Sequence, residues 1–559
     1  MTPVVVVSDF NAELAARYLS ADRSEPRCAA RAAPYGQLFQ VLRDEAAFDH
    51  ESVAFVWSRP EGVSPSYAML LDGERADPAR VGADVDAFLA AIVGAARRAR
   101  LMLVASWVPS QAARGLGMLD WTAGGRASSL ARMNARLADG LAGLDNVFML
   151  DAQRWIDAPR AARDAKYWLS MKCPFNDVVC QAAAADVKAA VRGVAGLARK
   201  LVVVDLDDTL WGGLVGDVGS SGLRLGGHDA VGEAYVEFQR ALKALSARGV
   251  ALAVISKNDE GAALEPFDSH PAMVLRRSDL AGWRINWDDK AANLIDLCGE
   301  LNLGLQSAVF IDDNPAERGR IRETLPDVLV PEWPKDPARY AVALGQLDCF
   351  DQPALTREDA ARTAMYVQAR DREASRPAQV SIEDWLRSLD IQVTIDAVTT
   401  RNITRTVQLA NKTNQMNLRT RRFTEAEFVR WLGERADRAA IVLTVADRFG
   451  DLGLTGLVTW QRNQNDIEIV DYVLSCRAMG RRIESLMVHL AVEHAREVEA
   501  RRVVARLIPS DRNNPCLMFW RSSGFGEREP HAFVWDASRR YPSPDVVAAR
   551  RGTVRETLA

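Results

Sequence analysis

Over the first 350 residues, short apolar runs rich in β-branched side chains alternate with longer stretches of helical periodicity. Residues 4–7, Val53–Val56, Leu101–Ala105 and Val147–Leu150 are four such runs. Each is apolar without alternation, as expected of strands buried on both faces. Residues 85–100 and 130–141, between them, have helical spacing, so residues 1–195 predict a parallel-sheet α/β domain. The same alternation continues with Leu201–Val204, 250–255 and Ala308–Ile311 as strands and Ala230–Ala247 and 289–300 as helices, which defines a second domain over 196–345. From about 377 the order changes. Runs 441–445, 454–461 and 467–474 follow one another as in an antiparallel meander, before a helix at 483–499 and a strand at 503–507. The fold class is multidomain α/β, with a third, α+β domain at 377–559 and a charged linker helix (357–376) within 346–376.

Composition narrows this only modestly. A chain of 559 residues suggests about three domains. Seventy basic side chains against 74 acidic ones give a net charge of −4, which makes no demand for nucleic acid as a partner. No apolar run approaches the roughly 18 residues of a membrane span. The start, MTPVVVVSDFN, lacks the basic region of a signal peptide. Seven cysteines without a C-x-x-C pair point to reduced thiols and no structural zinc. A cytoplasmic protein is expected.

The chemistry lies where the second domain's strands end. Leu201–Val204 runs straight into Asp205, Asp207 and Asp208. Carboxylates this close raise one another's pKa unless a cation sits among them, and Mg²⁺ suits oxygen ligands best. The alternative is an acidic N-capping turn. The strand at 250–255 ends at Ser256, whose hydroxyl can bind a phosphate oxygen. Lys290 can neutralise phosphate or a nucleophile, or be a solvated surface residue. The strand Ala308–Ile311 ends in Asp312, Asp313, Asn314 and, further on, Glu317. In this order the strand ends converge on one sheet edge.

This series, Asp205-x-Asp207-x-Thr209, Ser256, Lys290 and Asp313…Glu317, resembles the haloacid-dehalogenase (HAD) superfamily of phosphoryl-transfer enzymes. The resemblance implies Asp205 as nucleophile and Asp207 as general acid/base. It also implies Mg²⁺ held by Asp205, Asp313 and the Asp207 main-chain carbonyl, with the part of Asp312 open. Short segments between the motifs leave little room for a cap domain, and residues 211–219 are either a small flap or ordinary turns.

Ser8-Asp9, after the first strand, resembles the nucleophile turn of SGNH-type esterases. That chemistry needs a histidine late in the domain, and none lies between His50 and His228. The first domain therefore reads as an SGNH- or flavodoxin-like relative without catalysis, or as a docking module. Residues 475–482 and the surrounding elements resemble the GNAT acyltransferase fold, in which such a loop holds the pyrophosphate of coenzyme A. Arg477 and Gly480 match that pantetheine/CoA loop, while Arg482 stands where a small residue is expected. Arg419, Arg421, Arg422 and Lys412 form a basic run, either a binding surface or a solvated face. The amide-rich Asn411, Asn414, Gln415 and Asn417 point to a polar pocket.

Taken together, DLDDTLWGGLVGDVG, VISKND, RINWDDKAANL, FIDDNPAER, QLANKTNQMNLRTRRFT, DRFGDLGLTG and LSCRAMGR resemble the FkbH-like proteins of polyketide assembly, in a long form with an extra N-terminal domain. That resemblance implies loading of a D-glyceryl unit from 1,3-bisphosphoglycerate onto the phosphopantetheine arm of an acyl carrier protein, with loss of both phosphates. Cys476, at a strand end, before a helix and beside Arg477, is the candidate to carry the glyceryl group, since all three features favour a thiolate. A buried core cysteine is the alternative. Two other functions stay open: a small-molecule phosphatase with an independent acetyl-CoA-dependent N-acyltransferase domain, and a non-enzymatic scaffold that docks carrier proteins.

Overall fold

Successive valines of strand β1 (Thr2–Val7) point to opposite sides of a sheet, and both sides are covered. Val4 and Val6 join Phe55 in one core, while Val5 and Val7 join Ala54 and Val56 in another. The sheet also contains β2 (Cys28–Ala32), β3 (Val53–Val56), β4 (Leu101–Ala105) and β5 (Val147–Leu150). All are parallel, in the order β2-β1-β3-β4-β5, which is the flavodoxin-like order. The alanine-rich edge strand β2 carries no β-propensity signal and is not expected from sequence.

The computed structural model describes residues 1–74, 76–109, 115–157, 165–354, 365–366 and 381–552. The linker helix expected over 357–376 falls outside these, apart from two residues. The chain divides into two compact units, Met1–Val194 and Ala195–Ala559. Among the described residues no helix is long and apolar enough to cross a membrane.

In the first unit, order reverses between β1 and β3, where an open α/β sheet normally leaves a crevice. Here an ion pair fills it. Asp9 accepts from Arg59 N and from Arg59 Nε, both at 2.8 Å, and the guanidinium lies 4.0 Å from the Trp168 ring centre. Burial pushes the Asp9 carboxyl up, against the pull of Arg59. Ser8 Oγ accepts from Phe10 N at 3.0 Å. The unit's one histidine, His50, is exposed.

The second unit holds two sheets. The first is parallel, with β6 (Leu201–Val204), β7 (Ala251–Ser256), β8 (Gly282–Ile285) and β9 (Ala308–Ile311) in the order β8-β7-β6-β9. Val202 and Val204 pack with Phe238 and Leu242 of the helix Ala230–Ala247. Leu201 and Val203 face Leu294 and Leu297 of the helix Lys290–Glu300 on the other side. This two-sided burial explains the unbroken apolar runs.

The second sheet is mixed. It comprises β10 (Ile391–Ala397), β11 (Arg438–Asp447), β12 (Gly450–Asn463), β13 (Asp466–Leu474), β14 (Arg502–Arg506), β15 (Gly526–Glu529), β16 (Ala532–Asp536) and β17 (Val547–Arg551). Their order is β15-β16-β14-β13-β12-β11-β10-β17. β10 to β13 form the antiparallel meander, and the helix Ile483–Glu497 crosses over from β13 to the parallel β14, an arrangement consistent with the GNAT fold. β13 and β14 pair only from Asp466 to Ile469 and then part. The extended segment 416–418 lies in that gap. Leu418 N donates to Tyr472 O at 3.1 Å, Leu474 N to Met416 O at 3.0 Å, and Ile508 N to Leu418 O at 2.9 Å. The gap's backbone groups are thereby satisfied from within the chain.

Candidate functional site

Strand ends build the site. Asp205 follows β6, Ser256 ends β7, Lys290 opens its helix after β8, and Asp312 and Asp313 follow β9. In a parallel sheet these ends share one edge. Asp205 N donates to Ile311 O at 3.0 Å, carrying strand pairing up to the nucleophile position.

Lys290 sits among the carboxylates. Its Nζ donates to Asp312 Oδ2 at 2.7 Å and lies 3.1 Å from Asp205 Oδ1, an ion pair in which that oxygen accepts no well-aligned hydrogen bond. Burial pushes the Asp205 carboxyl up to about 7; Lys290 opposes that shift and Asp312 adds to it. Burial alone would pull the Lys290 ammonium down, but the two carboxylates outweigh it and raise it. Asp313 is raised by burial and by Asp312.

Asp205, Asp312 and Asp313 each offer a ligand oxygen, all within 4.8 Å of one another. The buried, unsatisfied Asp205 Oδ1 and the hard oxygen donors fit Mg²⁺. Asp312, left open by sequence, belongs to this cluster. Its Oδ1 accepts from Asn314 N at 2.9 Å, and Arg318 Nη1 donates to the Asp312 and Asp313 carbonyls at 2.7 Å each, which fixes the loop. Thr209 Oγ1 donates to Asp313 Oδ1 at 3.2 Å and accepts from Asp313 N at 3.1 Å. Glu317 instead pairs with Lys257 at 2.7 Å.

The Asp207 carboxylate stands apart from the cluster. Oδ1 accepts from Trp211 Nε1 at 2.9 Å and Val215 N at 3.1 Å, and Oδ2 from Asn258 Nδ2 at 3.0 Å. The turn that places it is tight: Asp208 adopts φ 53, and the Tyr235 and Tyr340 hydroxyls both donate to its carbonyl at 3.3 Å. Residues 211–219 do form a small element over the edge. A two-way backbone bridge between Gly212 and Arg224 closes the short helix Val215–Gly222. Asn258 and Arg318 lie within the quoted motifs VISKND and FIDDNPAER, but sequence assigned neither a part.

In the mixed sheet, Cys476 begins a single 3₁₀ turn (Cys476–Ala478), is half-buried, and lines a cavity of about 90 Å³ with Arg477, Asn414 and Gln415. Gly480, at φ 75, donates its N–H to Glu484 Oε1 at 2.6 Å. A carboxylate of the chain thus occupies the donor that a pyrophosphate would need, so the loop does not fit that part of CoA; Arg482 opens the helix at φ 63. The basic run is turned inward. Arg419 pairs with Glu468, Arg421 lies 3.3 Å from Asp471, and Arg422 donates to the Ala410 carbonyl. Of the amides, Asn411 and Asn417 bond to backbone, while Asn414 and Gln415 face the cavity.

No family model and no curated protein sequence matches the chain. Among solved structures, the N-terminal part of BF1531 from Bacteroides fragilis, which contains a phosphatase domain and was crystallised with Mg, is similar at 24% identity and TM-score 0.58. The similarity covers 63% of this chain and 95% of that one, and the two share a fold over that span. The ribosomal-protein-S18-alanine N-acetyltransferase of Escherichia coli is similar at 10% identity and TM-score 0.21, over 25% of this chain and 90% of its own. N-acetylglutamate synthase from Neisseria gonorrhoeae follows at 12% identity and TM-score 0.19, over 64% and 99%.

Proposed function

We propose that the chain is a Mg²⁺-dependent phosphatase and glyceryl transferase that takes 1,3-bisphosphoglycerate and loads its glyceryl group onto an acyl carrier protein. The phosphatase half rests on one observation above all: Asp205 has an unspent buried oxygen in a carboxylate cluster beside Lys290, with Asp207 held nearby by Asn258. The magnesium of the Bacteroides fragilis phosphatase domain supports the same cofactor. The glyceryl half rests on the FkbH-like motifs.

In this reading Asp205 attacks the phosphorus of the C3 monoester, and the P–O bond to the C3 oxygen of the glycerate breaks. Asp207 gives that oxygen its proton. It then takes one from the water that hydrolyses the aspartyl phosphate and restores Asp205. Mg²⁺ supplies charge neutralisation at the phosphoryl oxygens. Lys290 holds Asp205 and Asp312 in place, and Ser256 offers its hydroxyl to the phosphate. At the acyl phosphate, the Cys476 thiol attacks the C1 carbonyl, the C–O bond to phosphate breaks, and the thiol proton leaves with the phosphate. The carrier's thiol then displaces Cys476 by thioester exchange.

The test is intact mass spectrometry of phosphopantetheinylated carrier protein incubated with enzyme, Mg²⁺ and 1,3-bisphosphoglycerate. A glyceryl adduct that is still phosphorylated with Asp205→Asn, and missing with Cys476→Ala, is expected. Phosphate release without any adduct would reduce the function to that of a phosphatase.

A further inference from the structure

The cavity beside Cys476 lies at the far end of the phosphatase strands. Lys200 immediately precedes β6 and lines the cavity, whereas Asp205 immediately follows the same strand. Five residues of strand separate them by about 16 Å. A group held in the cavity is therefore not also in the metal cluster.

Neutral hydrogen-bonding groups face this space beside the thiol. The Gln415 amide and the hydroxyls of Thr413 and Ser307 line it, and none has a hydrogen-bond partner among the described residues. Asn414 lines it as well. Its Oδ1 accepts from Arg422, and because a guanidinium only donates, this contact fixes the amide and leaves the Nδ2 hydrogens over.

The backbone holds these side chains in place. They directly precede the segment 416–418 that fills the β13–β14 gap. Gln415 O accepts from Cys516 N at 3.3 Å, and Met416 O from Leu474 N at 3.0 Å. Gln415 is thus presented by a clamped strand-like segment, with one acceptor and two donor hydrogens unspent. A secondary amide is the smallest group that complements both, since it accepts at its oxygen and donates at its nitrogen.

The volume of about 90 Å³ sets the length. At about 10–15 Å³ per water-sized group it takes roughly six to nine non-hydrogen atoms. The end of a phosphopantetheine arm, –CH2–CH2–CO–NH–CH2–CH2–SH, has about eight, with one amide two carbons from the thiol.

We propose that this cavity receives that end of the carrier protein's arm, with Gln415 and Asn414 holding its last amide and the thiol directed at Cys476. The identity of the ligand rests on the transfer reading above, whereas the amide site follows from the neutral lining groups. In the transfer step the arm's sulfur attacks the thioester carbonyl, the C–S bond to Cys476 breaks, and the arm's thiol proton passes to the Cys476 sulfur.

Cys476 reports on occupancy directly, since the other six cysteines are buried. The full chain is alkylated with iodoacetamide, and modification of the Cys476 peptide is timed by mass spectrometry. N-ethylpropanamide, which is the arm's end without its thiol, is expected to slow alkylation saturably by about fivefold or more. Ethyl propanoate has the same size and carbonyl but no N–H, so it should need about a tenfold higher concentration for half the effect. Gln415→Leu should shift the amide's half-effect concentration by a similar factor and leave that of the ester nearly unchanged. No protection by the amide, equal protection by the ester, or an unshifted Gln415→Leu variant overturns the proposal. Should the variant fail to melt cooperatively, the comparison of amide with ester on the unaltered chain decides.

The source of the arm is read from glyceryl transfer, followed by intact mass spectrometry. Transfer to the phosphopantetheinylated carrier should outpace transfer to free coenzyme A, and Gln415→Leu should raise the carrier's KM several-fold. A preference for coenzyme A overturns the carrier as the source. Absence of any transfer removes the glyceryl reading, while the alkylation results still decide whether the cavity takes an amide.

Discussion

Asn258 donates from Nδ2 to Asp207 Oδ2 at 3.0 Å, and the same nitrogen lies 3.0 Å from Ser256 Oγ. One amide thus ties the proposed general acid to the proposed phosphate-binding hydroxyl. The geometry makes Asn258 a positioning residue. Asn258→Ala should lower kcat on a small aryl phosphate about tenfold to a hundredfold, with little change in KM or thermal stability, because an unheld acid loses its alignment to the leaving oxygen. Steady-state kinetics with a melting curve check this; a kcat within twofold of wild type would remove the role.

Lys290 lies between two buried carboxylates, at 3.1 Å from Asp205 and 2.7 Å from Asp312. Lys290→Met leaves these two buried carboxylates to repel each other, at a cost of about 3–5 kcal/mol in the metal-free protein. Urea titration should show that loss, and Mg²⁺ should restore part of it by replacing the missing charge. Adding Asp312→Asn to Lys290→Met should recover stability without recovering activity. An unchanged urea midpoint for the single variant would mean that the ion pair contributes nothing.

Much of this site is legible from the chain because each group follows a strand, and strands of a parallel sheet deliver their ends to one edge. β6, β9 and the helix Ala230–Ala247 are read to the residue, since an unbroken apolar run or a long amphipathic period fixes them. Other elements leave no such mark. In β8 (GWRI) Gly282 and Arg284 break the apolar run, β15 (GERE) is polar throughout, and β17 pairs with β10 from more than 150 residues away. The parts of Asn258 and Arg318 are likewise invisible in sequence, because each depends on side-chain reach across loops. The filling of the β13–β14 gap by 416–418 is also non-local, and no periodicity announces it.

Metal binding and pH are linked through Asp205. Burial, first, and Asp312 hold its carboxyl near about 7, against about 3.9 for an unfolded aspartate. The raised value means the folded, metal-free protein keeps a proton that the unfolded chain releases. Its contribution to stability is full below about pH 4 and is lost as pH rises through about 7. Metal binding must expel that proton, so Mg²⁺ affinity should climb with pH, up to about tenfold per unit below 7, and level off above it. Calorimetric titrations in buffers of different ionisation enthalpy should count close to one proton released at pH 6 and fewer at pH 8. Asp205→Asn should abolish the release; affinity independent of pH between 5 and 8 would contradict this coupling.

Gly196 tests how the cavity is held against the phosphatase strands. It adopts φ 69, and a Cβ there would stand 1.8 Å from the carbonyl oxygen of Asn411, four residues before Lys200 enters the cavity wall. Gly196→Ala therefore meets two penalties, about 1–2 kcal/mol for the left-handed backbone and a clash that only displacement of the helix Ile403–Lys412 relieves. That helix carries Arg405, Leu409 and Lys412 of the cavity wall, so its displacement should open the cavity beside Cys476. The expected result is a melting temperature lowered by several degrees and faster alkylation of Cys476 by iodoacetamide. Hydrolysis of a small phosphate ester should stay within about twofold of wild type, because Asp205 lies at the other end of β6, about 16 Å away. A loss of hydrolysis as large as the gain in alkylation would mean that the two ends of the strand act as one site.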